Sequence, residues 1–316
     1  MVEKASRFGR IGVLMGGPSS EREISLKSGH AVFAALSQLG LDVVSIDITT
    51  DNIEENVHLI NSRNINCAFV ALHGRFGEDG QVQKILDDLN LPYTGSGVRA
   101  SQLAMDKIAS RKIFQAKGLA VPGYRILEKA TYAPEWKDKF NLTFPLVVKP
   151  ATHGSSIGLS IIDRKEEVDR AIDLAFSYDD RIIVENYIKG REITVGILDE
   201  RPLPVIEIVP KKRFFDYEAK YKTGMTDYVV PAQLEEAIAR QAQDIALAAH
   251  KSLGCFGCSR ADMILSNENI PFVLEVNTIP GFTVTSLLPK AAMVVGVDFG
   301  QLCLKLVSLA YEKKKP

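Results

Sequence analysis

Short apolar runs that end in glycines alternate with helical-period stretches over the N-terminal third of the chain, and no other feature restricts the fold as much. The run Arg10 to Met15 meets Gly16-Gly17-Pro18-Ser19-Ser20, after which Glu21 to Leu39 repeats its apolar residues at helical spacing. Further strands are expected at Leu41 to Ile48 and Asn66 to Leu72. The second runs into His73-Gly74-Arg75-Phe76-Gly77-Glu78-Asp79-Gly80 ahead of a helix near Val82 to Leu89. This alternation predicts a parallel α/β sheet. Functional loops of such sheets gather beyond the carboxyl ends of the strands, where both glycine-rich stretches fall. The first stretch does not match G-x-G-x-x-G and no acid is placed to read a ribose, which disfavours a dinucleotide site.

A helix is predicted over Met105 to Lys117, broken by Gly118, Pro122 and Gly123. A second unit then reads as strand (Phe144 to Lys149), loop (Pro150 to Gly158), strand (Leu159 to Ile162), helix (Lys165 to Phe176) and strand (Arg181 to Glu185), a mixed sheet with helices on one side. A third opens with strands at Glu192 to Leu198 and Pro204 to Val209. It loses periodicity across Pro210 to Pro231, a stretch rich in Phe and Tyr that reads as an active-site cover. A helix over Ala232 to Leu253, strands Gly257 to Leu265 and Pro271 to Val276, and two closing helical stretches complete the chain. The expected units are 1–104, 105–190 and 191–316.

With 316 residues the chain is long enough for two or three cores, and its 46% hydrophobic and 24% charged residues match ordinary globular usage. A net charge of −1 argues against a nucleic-acid partner. No apolar run reaches the roughly 20 residues a bilayer requires, so no membrane association and a cytoplasmic location are expected. The pair Cys255 and Cys258 lacks a second half-site for zinc and reads as reduced thiols.

The strands around Asp262 and Glu275 are joined by the turn-forming Ser266-Asn267-Glu268-Asn269 and predict a hairpin. Alternation puts Arg260 with Asp262 on one face, and Glu275 with Asn277 on the same face, opposite Leu274 and Val276. A turn centred between Glu268 and Asn269 brings Asp262 opposite Glu275. Two adjacent carboxylates repel unless a cation lies between them, and all-oxygen ligands suit magnesium. An exposed polar face carrying surface ion pairs is the alternative. The loop His153-Gly154-Ser155-Ser156-Ile157-Gly158, with Lys149 before it, reads either as a phosphate cradle lacking the Walker A ending or as a plain loop.

Taken together, the motifs resemble the D-alanine–D-alanine ligases of the ATP-grasp superfamily along nearly the whole chain. They are Gly16-Gly17 with Ser20-Glu21-Arg22-Glu23 and Ser25-Leu26, His73-Gly74-Arg75, Gly77-Glu78-Asp79-Gly80, Tyr93-Thr94-Gly95-Ser96-Gly97, Met105-Asp106-Lys107, Val148-Lys149-Pro150 and Gly154-Ser155-Ser156. They continue through Glu192, Asp216-Tyr217-Glu218-Ala219-Lys220-Tyr221, Arg260-x-Asp262 and Glu275-x-Asn277-Thr278-x-Pro280-Gly281.

The resemblance implies an α/β and α+β ATP-grasp architecture, in which a pre-ATP-grasp domain precedes two units that clamp ATP. It implies ATP-dependent joining of two D-alanines through an acyl phosphate, in a homodimer serving peptidoglycan synthesis. It would put Lys107, Lys149, Ser155, Ser156 and Lys220 at the phosphates, Glu185 and Ile188 near adenine, and Glu192 on the ribose. Asp262, Glu275 and Asn277 would hold two magnesium ions, with manganese as an alternative. Glu21 would take the first D-alanine ammonium with His73 nearby, and Ser286 and Leu287 would flank the second D-alanine. Arg260 and the Gly281 amide would meet the tetrahedral oxyanion, while Tyr221 would close the site. Read without the resemblance, Glu21 is a favourable acid in a first helical turn and Tyr221 a surface contact. Phe215, His153, Asn186, Tyr187, Ile279 and Phe282 depart from the family's commoner residues without removing an expected ligand. Another ATP-grasp carboxylate–amine ligase and a non-catalytic nucleotide-binding protein are the competing readings.

Overall fold

At the end of β1 (Ile11–Gly16) the chain turns through Gly16 and Gly17, whose φ values of +86° and +88° only glycine reaches without strain. The turn delivers the chain to α1 (Arg22–Gln38), followed by β2 (Val43–Ile48), α2 (Ile53–Ser62) and β3 (Cys67–Val70). In this computed structural model, which describes residues 7–133, 143–211 and 225–313, the three strands form a parallel sheet in the order β2-β1-β3. The predicted α/β start is therefore present. The two glycine-bearing loops lie at the carboxyl ends of β1 and β3.

After α3 (Gln81–Asp88) comes an unforeseen helix, α4 (Val98–Met105), and the helix expected over Met105 to Lys117 is present as α5 (Lys107–Ala116), with a break between the two. The break is at Asp106, whose extended backbone and side chain cap α5 by accepting from the amides of Ile108 and Ala109. Next come β4 (Tyr124–Glu128), β5 (Leu146–Pro150), β6 (Ser160–Ile162), α6 (Val168–Phe176) and β7 (Arg181–Asn186). The β4 strand was not foreseen, and the sheet is wholly antiparallel, in the order β4-β7-β5-β6, where a mixed sheet was expected. Of its connections, β5 to β6 reverses direction, and α6 leads from β6 to the parallel β7 across one face. That helix buries Val168, Ile172 and Ala175 against Leu146, Val148, Ile182 and Val184.

The largest sheet comprises β8 (Gly190–Leu198), the short β9 (Arg201–Pro202), β10 (Ile206–Pro210), β11 (Thr226–Val229), β12 (Cys258–Ser266) and β13 (Pro271–Asn277), in the order β11-β10-β8-β12-β13 with β9 on β8. Strand β11 lies inside the stretch predicted to lack periodicity, and pairs with β10 from Glu207↔Val229 to Pro210↔Thr226. The aromatic cover proposed for this stretch falls largely on residues 212–224, outside the described residues. Helix α7 (Glu236–Ser252) covers one face of this sheet. Helices α8 (Leu287–Val294) and α9 (Phe299–Glu312) close the chain, and α9 packs into one continuous core with α1, β1 and β3.

The hairpin register places Asp262 opposite Glu275, as the sequence suggested, by a different route. The turn runs tighter than expected, with Asn269 in the left-handed region (φ +60°) and Ser266 closing onto Ile270. A bulge between Asp262 and Met263 then inserts Leu274 as an extra residue and restores the register. Val273 and Val276 both enter the core beneath the sheet. Leu274 consequently shares the Glu275 face instead of opposing it.

The turn thus depends on a residue that tolerates positive φ. Replacing Asn269 by Val should cost about 1–2 kcal/mol because a β-branched side chain opposes the left-handed conformation, whereas Asn269→Gly should stay within about 0.5 kcal/mol. Thermal unfolding of the two variants checks this, and equal midpoints would reject it.

Candidate active site

The upper face of the large sheet carries the polar residues that alternation requires. Along β8, Ile193, Val195 and Ile197 point into the core, so Glu192 and Thr194 point away from it. Along β12, Ala261, Met263 and Leu265 point inward while Arg260, Asp262 and Ile264 point outward. Asp262 is held tightly. Arg260 forks onto it through Nε (2.8 Å) and Nη2 (2.7 Å), and the Thr194 hydroxyl lies 2.6 Å from Oδ1. Asn277 Oδ1 accepts from the Ile279 amide at 2.9 Å, which orients its side chain at the head of the loop leading to Gly281.

The antiparallel sheet of β4 to β7 faces this floor and supplies Lys149 and Glu185. Because α6 covers the faces of Val148 and Val184, their neighbours Lys149 and Glu185 project the other way. Both are buried, with Lys149 Nζ donating to Glu185 Oε1 at 2.6 Å. Burial lowers the Lys149 pKa, Arg111 and Lys107 add to the effect, and Glu185 opposes it. Burial alone would raise the Glu185 pKa, but the combined charges of Arg111, Lys149 and Lys107 hold it below the usual carboxylate range.

Two cavities result. One, about 410 Å³, lies between the sheets and is lined by Lys149, Ser156, Glu185, Ile188, Glu192 and Asp262 among others. The second, about 500 Å³, opens against the first unit and is lined by Glu21, His73, Ser155, Arg260, Gly281 and Ser286 among others. Lys107 and Glu275 line both, with Nζ 3.4 Å from Oε2. Lys107 also donates to the His153 carbonyl at 2.7 Å and thereby tethers the Ser155-Ser156 loop. Both serines have positive φ (+52° and +59°), a strain that folded chains retain mainly at functional loops.

Glu21 begins α1 and accepts a hydrogen bond from the Ser155 hydroxyl across the second cavity. The imidazole of His73 is fixed on both sides. Nδ1 lies 3.1 Å from the Ile279 carbonyl, and Nε2 lies 2.8 Å from the Ser28 hydroxyl, which itself accepts from the Phe282 amide. This network assigns the His73 proton to Nδ1 and leaves Nε2 as an acceptor. Glu78, 3.6 Å from Nδ1, is pushed up by burial and further by Glu21. Ser286 starts α8, and its Oγ lies 2.9 Å from the Thr283 hydroxyl, shaping the loop after Gly281. Leu287 follows on the cavity wall.

The expected site residues among those described thus converge on these two cavities. Lys220 and Tyr221 lie outside the described residues. Sequence reasoning missed four contributors. Thr194 stands two residues beyond Glu192 on one strand face, Arg111 stands one helical turn beyond Lys107, and Glu78 was quoted in a motif without a role. Leu274 required the bulge to be known. The four cysteines are free thiols, and burial pushes Cys255 and Cys258 each up to about 12. Among the described residues no helix is long and apolar enough by itself to cross a membrane.

Comparison with known proteins follows the same lines. The family models for the D-ala D-ala ligase N-terminus and C-terminus match residues 50–96 and 113–308. The D-alanine--D-alanine ligase of Pelotomaculum thermopropionicum is 46% identical over 312 residues, covering 96% of this chain and 97% of its own. That of Geobacter sulfurreducens is 45% identical over 97% of this chain and 95% of its own. Among solved structures, the Bacillus anthracis D-alanine--D-alanine ligase complexed with ATP superposes with a TM-score of 0.84 at 34% identity, covering 96% of this chain and 98% of its own. The VanG D-Ala:D-Ser ligase of Enterococcus faecalis gives the same TM-score at 32% identity, covering 96% and 100%. Identity of this extent over nearly the full length of both chains, at a site assembled from the residues described above, establishes that the chain belongs to the D-alanine–D-alanine ligase family.

Proposed function

We propose that this chain joins two D-alanines in an ATP-dependent reaction, with nucleotide in the inter-sheet cavity and both amino acids in the cavity beside Glu21. The observation that carries this reading is that Lys107 and Glu275 line both cavities. A phosphoryl group passing from one ligand to the other has to cross at that junction.

A carboxylate oxygen of the first D-alanine attacks the γ-phosphorus of ATP, the bond to the bridging oxygen breaks, and ADP leaves. The amine of the second D-alanine then forms the new C–N bond at the acyl phosphate carbonyl, the bond from that carbon to the phosphate oxygen breaks as phosphate departs, and the proton shed by the amine passes to the departing phosphate. Lys107 and Lys149 neutralise the triphosphate, and Glu21 holds the first ammonium. Arg260 and the Gly281 amide meet the oxyanion of the tetrahedral species, a contribution of about 3–4 kcal/mol per donor. Tyr221 and Lys220 are proposed to complete the site, with tyrosine favouring an amine acceptor.

Asp262 and Glu275, adjacent in register, and Asn277 form a hard-oxygen donor set that suits magnesium better than softer metals, with manganese as an alternative. Bound there, the two ions would neutralise charge on the phosphates. An enzyme that consumes ATP to build a cell-wall precursor belongs in the cytoplasm, and we propose a homodimer there.

Phosphate release with ATP, magnesium and D-alanine tests the reading directly. Release with D-alanine but not with L-alanine is expected, whereas equal release would favour a ligase of other amino acids and none would favour a nucleotide-binding protein. D-Serine and D-lactate as second substrates separate the acceptor classes, and dominant depsipeptide at neutral pH would overturn the amine reading. Arg260→Ala should lower kcat about a hundredfold or more with nearly unchanged nucleotide affinity, and unchanged turnover would reject its role. Lys149→Ala should raise the KM for ATP about tenfold or more through loss of a buried charge contact; steady-state kinetics decide it.

A further inference from the structure

The proposed role of Lys149 at the phosphates raises a difficulty, because its ammonium is already engaged. It donates to Glu185 Oε1 at 2.6 Å, and both side chains are buried. When Lys149 turns to a phosphate, Glu185 loses its one hydrogen-bonded cation, and a buried carboxylate left short of compensation is strongly unfavourable.

A second cation lies behind it. Arg111 on α5 is fully buried, and its Nη2 is 2.8 Å from Glu185 Oε2. Among the described residues, Arg111 Nε, Nη1 and Nη2 make no hydrogen bond, and neither does Glu185 Oε2. Unsatisfied buried guanidinium donors are rare and ask for a reason. Here Nη2 stands within pairing distance of Oε2, the unused acceptor of a carboxylate with which a guanidinium pairs well.

We propose that Arg111 is a positioning residue for the nucleotide: it takes over Glu185 as Lys149 leaves for the phosphates, so that the lysine can move without stranding a buried charge. The inference rests on Lys149 being a phosphate ligand. Arg111 itself has no direct part in the chemistry. It acts through Glu185, and its position one helical turn after Lys107 lets α5 present one cation to the phosphate junction and another to the carboxylate behind it.

The groups facing Glu185 are Lys149 from β5, Arg111 and Lys107 from α5, and Tyr124, its partner in register on β4, whose hydroxyl donates to Gln115 at 3.1 Å. Without Arg111, only Lys107, itself assigned to the phosphates, remains near Glu185, and Glu185 has to take up a proton when nucleotide binds. Calorimetry at pH 8 with magnesium adenylyl imidodiphosphate, which is not turned over, reads this in buffers of different ionisation enthalpy. The wild-type protein should take up essentially no proton. Arg111→Met should take up about one and bind about tenfold or more weakly, its affinity falling about tenfold per unit of rising pH, as one-proton linkage requires.

Two further variants separate this role from simple support of the fold. Arg111→Lys should stay within about threefold of wild type. Arg111→Met combined with Glu185→Gln should abolish the proton uptake and return affinity to within about threefold of Glu185→Gln alone. Should Arg111→Met fail to fold, the wild-type measurement still decides, since uptake near one proton would overturn the proposal. Wild-type affinity of Arg111→Met without proton uptake would overturn it as well. Lys149→Met with undiminished nucleotide affinity would instead refute the phosphate role of Lys149, while weak binding by Lys149→Met beside normal binding by Arg111→Met would refute the role of Arg111 alone.

Discussion

The pairing of β12 with β13 is the constraint on which the rest of the site depends. It puts Asp262 opposite Glu275 on the one sheet face that α7 does not cover, and everything charged nearby is arranged around that pair. Arg260, two residues from Asp262, reaches it as a fork because both project from the same face. Lys107 reaches Glu275 from α5, whose start is set by the Asp106 cap. A one-residue slip in the hairpin would carry one carboxylate into the apolar layer beneath and dissolve the arrangement. The bulge at Leu274 is therefore part of the site.

Charge balance in the cleft follows from burial. Lys149, Glu185 and Arg111 are all taken out of water, where single ions are costly, and the excess of cations over anions around Glu185 creates a field suited to an incoming polyanion. In the cavity of the first unit, burial and the nearby Glu21 charge both disfavour ionisation of Glu78. An ammonium is the complementary guest there. The two cavities meet where Lys107 and Glu275 face one another.

Much of this was legible in the sequence, for identifiable reasons. The parallel start was readable because glycines punctuate apolar runs, and the hairpin because alternation and turn residues agree. Register was obtained through two departures that cancel, a tighter turn at Asn269 and an added residue at Leu274, neither of which leaves a mark in composition. Strand β4 was hidden because Tyr124–Glu128 carries two charged residues among five, and only pairing with β7 makes it a strand. The antiparallel direction of the central sheet depends on connections that periodicity does not encode. Arg111 went unread because one-turn spacing from Lys107 is an ordinary helical coincidence until the partner carboxylate on β7 is known.

The cores explain why the two walls of the cleft differ mechanically. The first unit shares one apolar core with α8, α9 and part of the large sheet, so the floor and the cavity beside Glu21 are joined by buried contacts such as Phe69 against Phe282. The roof sheet has its own core under α6, and among the described residues its other face carries a small cluster of Ile108, Ala151 and Ile183, with Tyr124 and Ile126 packed against it. Opening a cleft costs in proportion to the apolar surface it exposes. Separation of roof from floor around α5 is therefore cheap compared with separation of the floor from the first unit. The inter-sheet cavity therefore lies on the easily opened side, whereas the cavity beside Glu21 keeps its shape. That division suits a reaction in which a large polyanion enters and leaves while a short-lived acyl phosphate must be kept from water.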